Sequence, residues 1–152
     1  MPHEFKTIRR VEFADTDMAG IVHFAQFFRY MEEAEHAFYR SLGFSVHTKT
    51  EDGFIGFPRV SASCDYRMPL RFEDQVEIHL LVDRKQSKSI SYRFIFRKTE
   101  QDQTDEVARG AMTVVCVAGG GAANLRAAKI PHELAAQIEE APREDPGERG
   151  GS

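Results

Sequence analysis

The chain opens on an alternation: in residues 5–14, Val11 and Phe13 share a face while Arg9, Arg10 and Glu12 keep the segment partly wet, which predicts a strand. From Phe24 the period changes. Phe24, Phe27, Phe28, Met31, Ala34, Phe38 and Leu42 recur at three- and four-residue steps, marking one face of a helix of about five turns, and Gly43 stands where a left-handed residue would stop it. The opposite face carries Arg29, Glu32, Glu33, Glu35 and Arg40 and reads as solvated surface. Residues 44–58, polar and broken by Gly53, Gly56 and Pro58, read as an irregular crossing back to a sheet. Strands then follow in series. Val60, Ala62, Cys64 and Tyr66 alternate with Ser61, Ser63 and Asp65, and beyond a turn at 67–74 come Val76, Ile78, Leu80 and Val82. A polar link at 83–88 leads to Ile90, Tyr92, Phe94 and Phe96, set against Ser91, Arg93 and Arg97, and residues 99–105 carry a hairpin signal. The last long strand covers about 106–118, with Val107, Ala111, Thr113, Val115 and Val117 on one side and Met112, Val114 and Cys116 on the other. Gly119, Gly120 and Gly121 end it, and residues 130–138, with Pro131 in the first turn, predict a short helix.

One strand, one long helix and four antiparallel strands predict an α+β domain whose sheet curls around the helix. The domain is read as residues 1–141. Residues 142–152 are proline, glycine and charge with almost nothing to bury, which predicts a disordered tail. A sheet with open edges is completed naturally by a second copy, so a dimer is expected.

Composition narrows the function classes. A chain of 152 residues, 41% apolar, can bury a core without disulfides or metal, and with 12 Phe and no Trp its aromatic packing rests on phenylalanine. A net charge of −4 gives no global basic field to recruit nucleic acid or an anionic membrane. Cys64 and Cys116 lie in apolar runs without metal-ligand spacing and read as buried thiols, which fits a reducing cytoplasm. His3, His47, His79 and His132 likewise lack ligand spacing, so no metal is expected, and His36 is placed on the helix surface or at a subunit contact. The N-terminus lacks a basic region followed by an apolar core, and no run approaches 18 apolar residues, so a cytoplasmic protein without membrane insertion is expected.

The chemistry concentrates at residues 13–24. Two carboxylates, Asp15 and Asp17, and a turn glycine, Gly20, stand directly ahead of the helix. A helix start offers unpaired backbone N–H groups and the positive end of its dipole, which can polarise a carbonyl oxygen while a carboxylate attacks the carbon or activates water. The same acids suit capping and turn formation, and the segment alone supports both uses equally.

The string Asp15-Thr-Asp-Met-Ala-Gly-Ile-Val-His-Phe24, the helix behind it, Tyr66-Arg-Met-Pro-Leu-Arg-Phe-Glu-Asp74 ahead of a Val-rich strand, and Ile130-Pro131 together resemble the hotdog-fold acyl-CoA thioesterases. The resemblance covers roughly residues 5–138 and is to the 4-hydroxybenzoyl-CoA type and the related Tol-Pal-associated enzymes. It implies an antiparallel sheet curled around one long central helix, and hydrolysis of an aromatic or short-to-medium acyl-CoA to the free acid and CoA. No cofactor is implied, since coenzyme A is part of the substrate, and the assembly implied is a homodimer or homotetramer with sites at subunit boundaries. The resemblance puts Asp17 at the catalytic carboxylate, as nucleophile or general base, with Asp15 in support. It puts the Phe24 backbone N–H on the thioester oxygen and Gly20 at the sharp turn, anchored by Ile21 and Val22. His23 stands where many relatives carry an aromatic residue, and the Tol-Pal group has Tyr-His one position later, where this chain has Phe24. It is read either as shaping the acyl pocket or steering water, or as a partly buried neutral histidine.

The phosphates of CoA call for cations. Arg84, Lys85 and Lys88 occupy the link where family members often place phosphate contacts, and Arg126 with Lys129 forms a second group, although solubility explains such charges about as well. Ser61 and Ser63 are candidates for the border of the pantetheine channel. Two other readings compete. Asp15-Thr-Asp17 also fits the paired acids of a haloacid-dehalogenase-type phosphatase, but that fold needs a continuous apolar parallel strand before the acids and repeated strand-helix units. A hotdog domain that only binds acyl-CoA, or acts as a scaffold, would not need a carboxylate facing a thioester.

Overall fold

The computed structural model describes residues 2–51, 53–100, 103–121 and 124–143. In chain order its strands are β1 (Glu4–Arg10), β2 (His47–Thr50), β3 (Gly53–Gly56), β4 (Arg59–Tyr66), β5 (Gln75–Lys85), β6 (Ser89–Glu100), β7 (Gln103–Val115), β8 (Val117–Gly119) and β9 (Arg126–Ala127), with helices α1 (Gln26–Ser41) and α2 (His132–Ala135). Antiparallel pairing gives a five-stranded sheet in the order β1-β5-β6-β7-β4 and a smaller sheet in the order β2-β3-β8-β9. The α1 helix packs on one face of the larger sheet, against β5, β1 and β4. This is the α+β arrangement that the sequence pattern predicts. Among the described residues no helix is long and apolar enough to cross a membrane.

The alternation read in β5 and β6 builds the core. Val76, Ile78, Leu80 and Val82 of β5 and Ile90, Tyr92, Phe94 and Phe96 of β6 are all buried, and Phe27, Met31, Ala34 and Phe38 of α1 close over them. The helix ends as Gly43 predicts: this residue has φ +83°, its N–H donates to Arg40 O at 3.0 Å, and the Phe44 N–H reaches Tyr39 O at 2.9 Å, the paired bonds of a Schellman stop.

Several expectations fail, each for a local reason. The first strand stops at Arg10, because a 3-10 turn at Phe13–Asp15 breaks the alternation and turns Phe13 out, leaving it 76% exposed while Val11 is buried. Phe24 lies before the helix and is exposed, and Phe28 is only half-buried, whereas Tyr30 and Tyr39 widen the buried face. Residues 44–58 contain the β2–β3 hairpin, which seeds the second sheet rather than an irregular crossing. The β4 strand sits at the sheet edge and is largely exposed, Val60 to 61%, so that of its expected inner positions Cys64 packs against the core while Val60 does not. In β7 the pairs Phe96–Ala108 and Arg97–Glu106 leave Val107 as a bulge, which buries Val107 beside Ala108 on the side of Met112 and Val114. The second helix is shorter than expected, beginning after Pro131 as its N-cap. The tip of the 99–105 hairpin, residues 101–102, and the greater part of the expected tail, 144–152, lie outside the described residues.

The largest departure is Glu35. Read as surface, it is fully buried on α1, with its Oε1 2.7 Å from Arg59 Nη2 at the start of β4. Burial pushes its pKa up to about 7 against the pull of Arg59. Two consequences can be measured. Phe27→Ala should cost about 3–5 kcal/mol and Phe28→Ala clearly less; equal losses in urea titration would contradict this packing. For Glu35 the folded pKa lies above the ordinary 4.5, so its contribution is most favourable below pH 4.5 and is lost as pH rises to about 7. That loss amounts to roughly 3 kcal/mol. Glu35→Gln should flatten stability against pH over this window, and parallel curves for variant and parent would show the carboxylate is not buried in solution.

Candidate active site

The segment ahead of α1 is fastened at two points. Asp15 is buried, and its Oδ2 accepts from the Glu12 N–H (2.9 Å), the Tyr30 hydroxyl (2.9 Å) and Arg9 Nη1 (3.2 Å). Burial first, then the Asp15 charge, holds the Tyr30 pKa above its ordinary value, so this hydroxyl remains a donor at neutral pH. Further on, the Val22 N–H donates to Leu70 O at 2.8 Å, with Ile21 bridged to Arg71, which pins the segment to the turn before β5. Neither acid caps α1. Its N-cap, Ala25, makes no side-chain cap bond, while Asp15 closes the 3-10 turn and Asp17 closes its own loop.

Asp17 stands on that loop. The Gly20 N–H donates to its carbonyl at 3.0 Å, its own N–H donates to Ile21 O at 2.9 Å, and the Ala19 N–H donates to Oδ1 at 2.9 Å. Gly20 has φ +80°, the left-handed backbone this reversal requires. The carboxylate is exposed, and its Oδ2 has no hydrogen-bond partner among the described residues. At the helix start the His23 N–H donates to Asp15 O, the Gln26 N–H donates to His23 O, and the Ala25 N–H donates to His23 Nδ1 at 3.1 Å. His23 Nδ1 therefore serves as an acceptor at the helix entry, with the ring stacked on Phe24 at a centroid distance of 4.7 Å. Among the described residues the Phe24 N–H makes no hydrogen bond.

A cavity of about 500 Å³ brings these groups together. Asp17 and Phe24 share its lining with Phe27, Tyr66, Arg67, Met68 and Leu70, so the acid and the residue ahead of the helix border a mostly apolar space that also holds one arginine. Tyr66, Met68 and Leu70 carry no role in the sequence reading. Their signal in the sequence is the Tyr66–Asp74 segment itself, which belongs to the pattern that carries the family resemblance. Cys64 lies on the Tyr66 face of β4, and burial pushes its thiol up to about 11, so it offers no competing thiolate.

The other candidates lie elsewhere. Ser61 and Ser63 alternate with Tyr66 and occupy the opposite face of β4. Arg84, Lys85 and Lys88 lie at the far end of β5 from the Leu70 turn, roughly 30 Å of strand away. Arg84 and Lys88 are exposed there, but Lys85 Nζ is committed to Ala135 O (2.9 Å) and Ile138 O (2.7 Å). Lys85, Ser87, Lys129 and His132 line a second cavity of about 440 Å³, while Arg126 is exposed on β9. Among the described residues no cluster of three His, Cys, Asp or Glu side chains is placed to hold a metal.

Residues 11–138, which contain this whole constellation, match the Thioesterase-like superfamily. The chain belongs to that family. It is 32% identical over 108 residues to a 1,4-dihydroxy-2-naphthoyl-CoA hydrolase of Prochlorococcus marinus (strain MIT 9313), covering 66% of this chain and 72% of that protein. A gentisyl-coenzyme A thioesterase of known structure is 31% identical with a TM-score of 0.70, covering 86% of this chain and 98% of that one. A 4-hydroxybenzoyl CoA thioesterase, solved as an Asp-to-Asn variant with 4-hydroxybenzoyl CoA bound, superposes with a TM-score of 0.77 at 22% identity over 89% of this chain and 98% of that one. The fold is thus the family's hotdog fold, with α1 as the central helix. Tyr30→Phe tests the fastening: losing the bond to a buried carboxylate should cost about 2 kcal/mol, and an unchanged denaturation midpoint would show that the bond is absent in solution.

Proposed function

We propose that the protein is an acyl-CoA thioesterase that releases a carboxylic acid and free CoA, with an aromatic acyl group as the favoured substrate. The observation that carries this reading is the shared cavity, whose mostly apolar lining contains both Asp17 and Phe24, with the Phe24 N–H making no hydrogen bond among the described residues. Three of the relatives, the 1,4-dihydroxy-2-naphthoyl-CoA hydrolase, the gentisyl-coenzyme A thioesterase and the 4-hydroxybenzoyl CoA thioesterase, are named for aromatic acyl-CoA substrates, which supports the substrate class.

With the thioester oxygen on the Phe24 N–H at the positive end of α1, negative charge developing on that oxygen is stabilised. Asp17 then acts in one of two ways. As a nucleophile it adds to the carbonyl carbon, the C–S bond breaks, CoA leaves as thiolate, and water hydrolyses the resulting mixed anhydride. As a general base it takes a proton from the water that attacks. Either route consumes only water and needs no cofactor. A homodimer or homotetramer in the cytoplasm completes the proposal. Its support is the exposed Phe13, Met18, Met68 and Phe72 beside the site, the open β4 edge, and the unpaired thiols of Cys64 and Cys116. In such an assembly Arg84, Lys88 and Lys129 would meet the CoA phosphates across a subunit boundary, since one chain keeps them far from Asp17.

Asp17→Asn should lower thioester hydrolysis by about 10²- to 10⁴-fold while leaving stability unchanged, because an amide oxygen still accepts the Ala19 N–H. Thiol release measured across aromatic, short-chain and medium-chain acyl-CoAs reads both activity and preference. Full turnover in the variant would remove Asp17 from the reaction, and tight binding without thiol release by the parent would favour a binding protein.

A further inference from the structure

Tyr66 is the last residue of β4, and backbone contacts fix where it lies. The bulged Val107 turns its carbonyl to the Arg67 and Met68 N–H groups, at 2.8 and 3.1 Å, so the strand end cannot drift from β7. The Tyr66 ring packs edge-on against Phe27, with centroids 5.1 Å apart at 77°, and its hydroxyl donates to Phe24 O at 2.8 Å. In a regular helix that carbonyl would receive the Phe28 N–H, but this N–H goes to Ala25 O at 3.2 Å. The Phe24–Ala25 peptide is therefore outside the helical ladder. It is held at both ends by side chains, its carbonyl by Tyr66 and its N–H by His23 Nδ1. The preceding peptide has its carbonyl bound by the Gln26 N–H and its Phe24 N–H free.

On the thioesterase reading above, we propose that Tyr66 is a positioning residue for the reaction: its hydroxyl locks the Phe24 peptide so that the Phe24 N–H meets the thioester oxygen as charge develops there. An oxyanion donor works through preorganisation, and a shift of a fraction of an ångström at that N–H weakens the transition state more than the bound substrate. The Tyr66 ring lines the cavity, but the hydroxyl is spent on the backbone.

Tyr66→Phe keeps the ring and its Phe27 contact and deletes only the hydroxyl. With the acyl-CoA the parent hydrolyses fastest, kcat should fall about 10- to 100-fold, KM should stay within about twofold, and the thermal midpoint should not move. Without substrate, the Phe24 carbonyl ¹³C resonance should shift in the variant. An unchanged kcat, a loss confined to KM, or an unmoved Phe24 carbonyl resonance would each overturn the proposal while leaving the thioesterase reading intact. A parent that releases thiol from no acyl-CoA would end both.

Discussion

A buried carboxylate oxygen ties the N-terminal side of the loop that bears Asp17 to the rest of the molecule. Asp15 Oδ2 collects a backbone N–H from Glu12, a guanidinium from β1 and a phenol from α1, and its main-chain carbonyl takes the His23 N–H. Charge-assisted bonds in a site shielded from water are stronger than their exposed counterparts, so this junction sets how the segment enters the helix. Everything downstream depends on it. The reversal at 17–20 makes only local bonds, and the Asp17 and Met18 side chains face solvent. Asp17 keeps its place because Asp15 holds one side of the loop and Val22 the other.

The helix that receives this segment is built to leave its first turn available. Its N-cap is alanine without a side-chain bond, and its first turn carries no acid, while Arg40 complements the last turn. Forgoing a serine or aspartate cap costs about 1 kcal/mol, small against the burial of Phe27, Tyr30, Met31 and Phe38 on the same helix. Packing thus carries the stability that capping would otherwise supply. The N-terminal dipole stays unneutralised beside the cavity.

How much of this was legible in the sequence follows from where each decision is made. Alternation in β5 and β6 and the Phe27, Met31, Ala34 and Phe38 stripe of α1 read correctly because inward and outward positions there are set by neighbouring backbone. Burial decided by distant partners did not read. Glu35 is inside because Arg59 reaches it from β4, and Val107 is inside because β6 pairs out of step with β7. The site divides in the same way. Asp17, Gly20 and Phe24 form one continuous stretch, whereas Tyr30, Tyr66 and Leu70 join it only through tertiary contacts, at Asp15 Oδ2, Phe24 O and the Val22 N–H. Lys85 shows the opposite limit: a cation that looks free in sequence is consumed by two carbonyls at the end of α2.

The openness of the cavity bears on how its polar groups can act. A carboxylate and one N–H facing bulk water interact weakly with developing charge, because solvent screens them and competes for the same bonds. The walls around them are Phe24, Phe27, Met68 and Leu70, and further apolar surface lies exposed at Phe13, Met18 and Phe72. An acyl group seated against those walls displaces the water next to Asp17 and the Phe24 N–H, and a covering subunit would extend the same effect. On the proposed function, apolar contact and electrostatic stabilisation would be one event: the area that took up the acyl group would also lower the local dielectric where the oxyanion would form. For the aromatic acyl group of the proposed function, a planar ring would cover such a wall with few rotatable bonds to order.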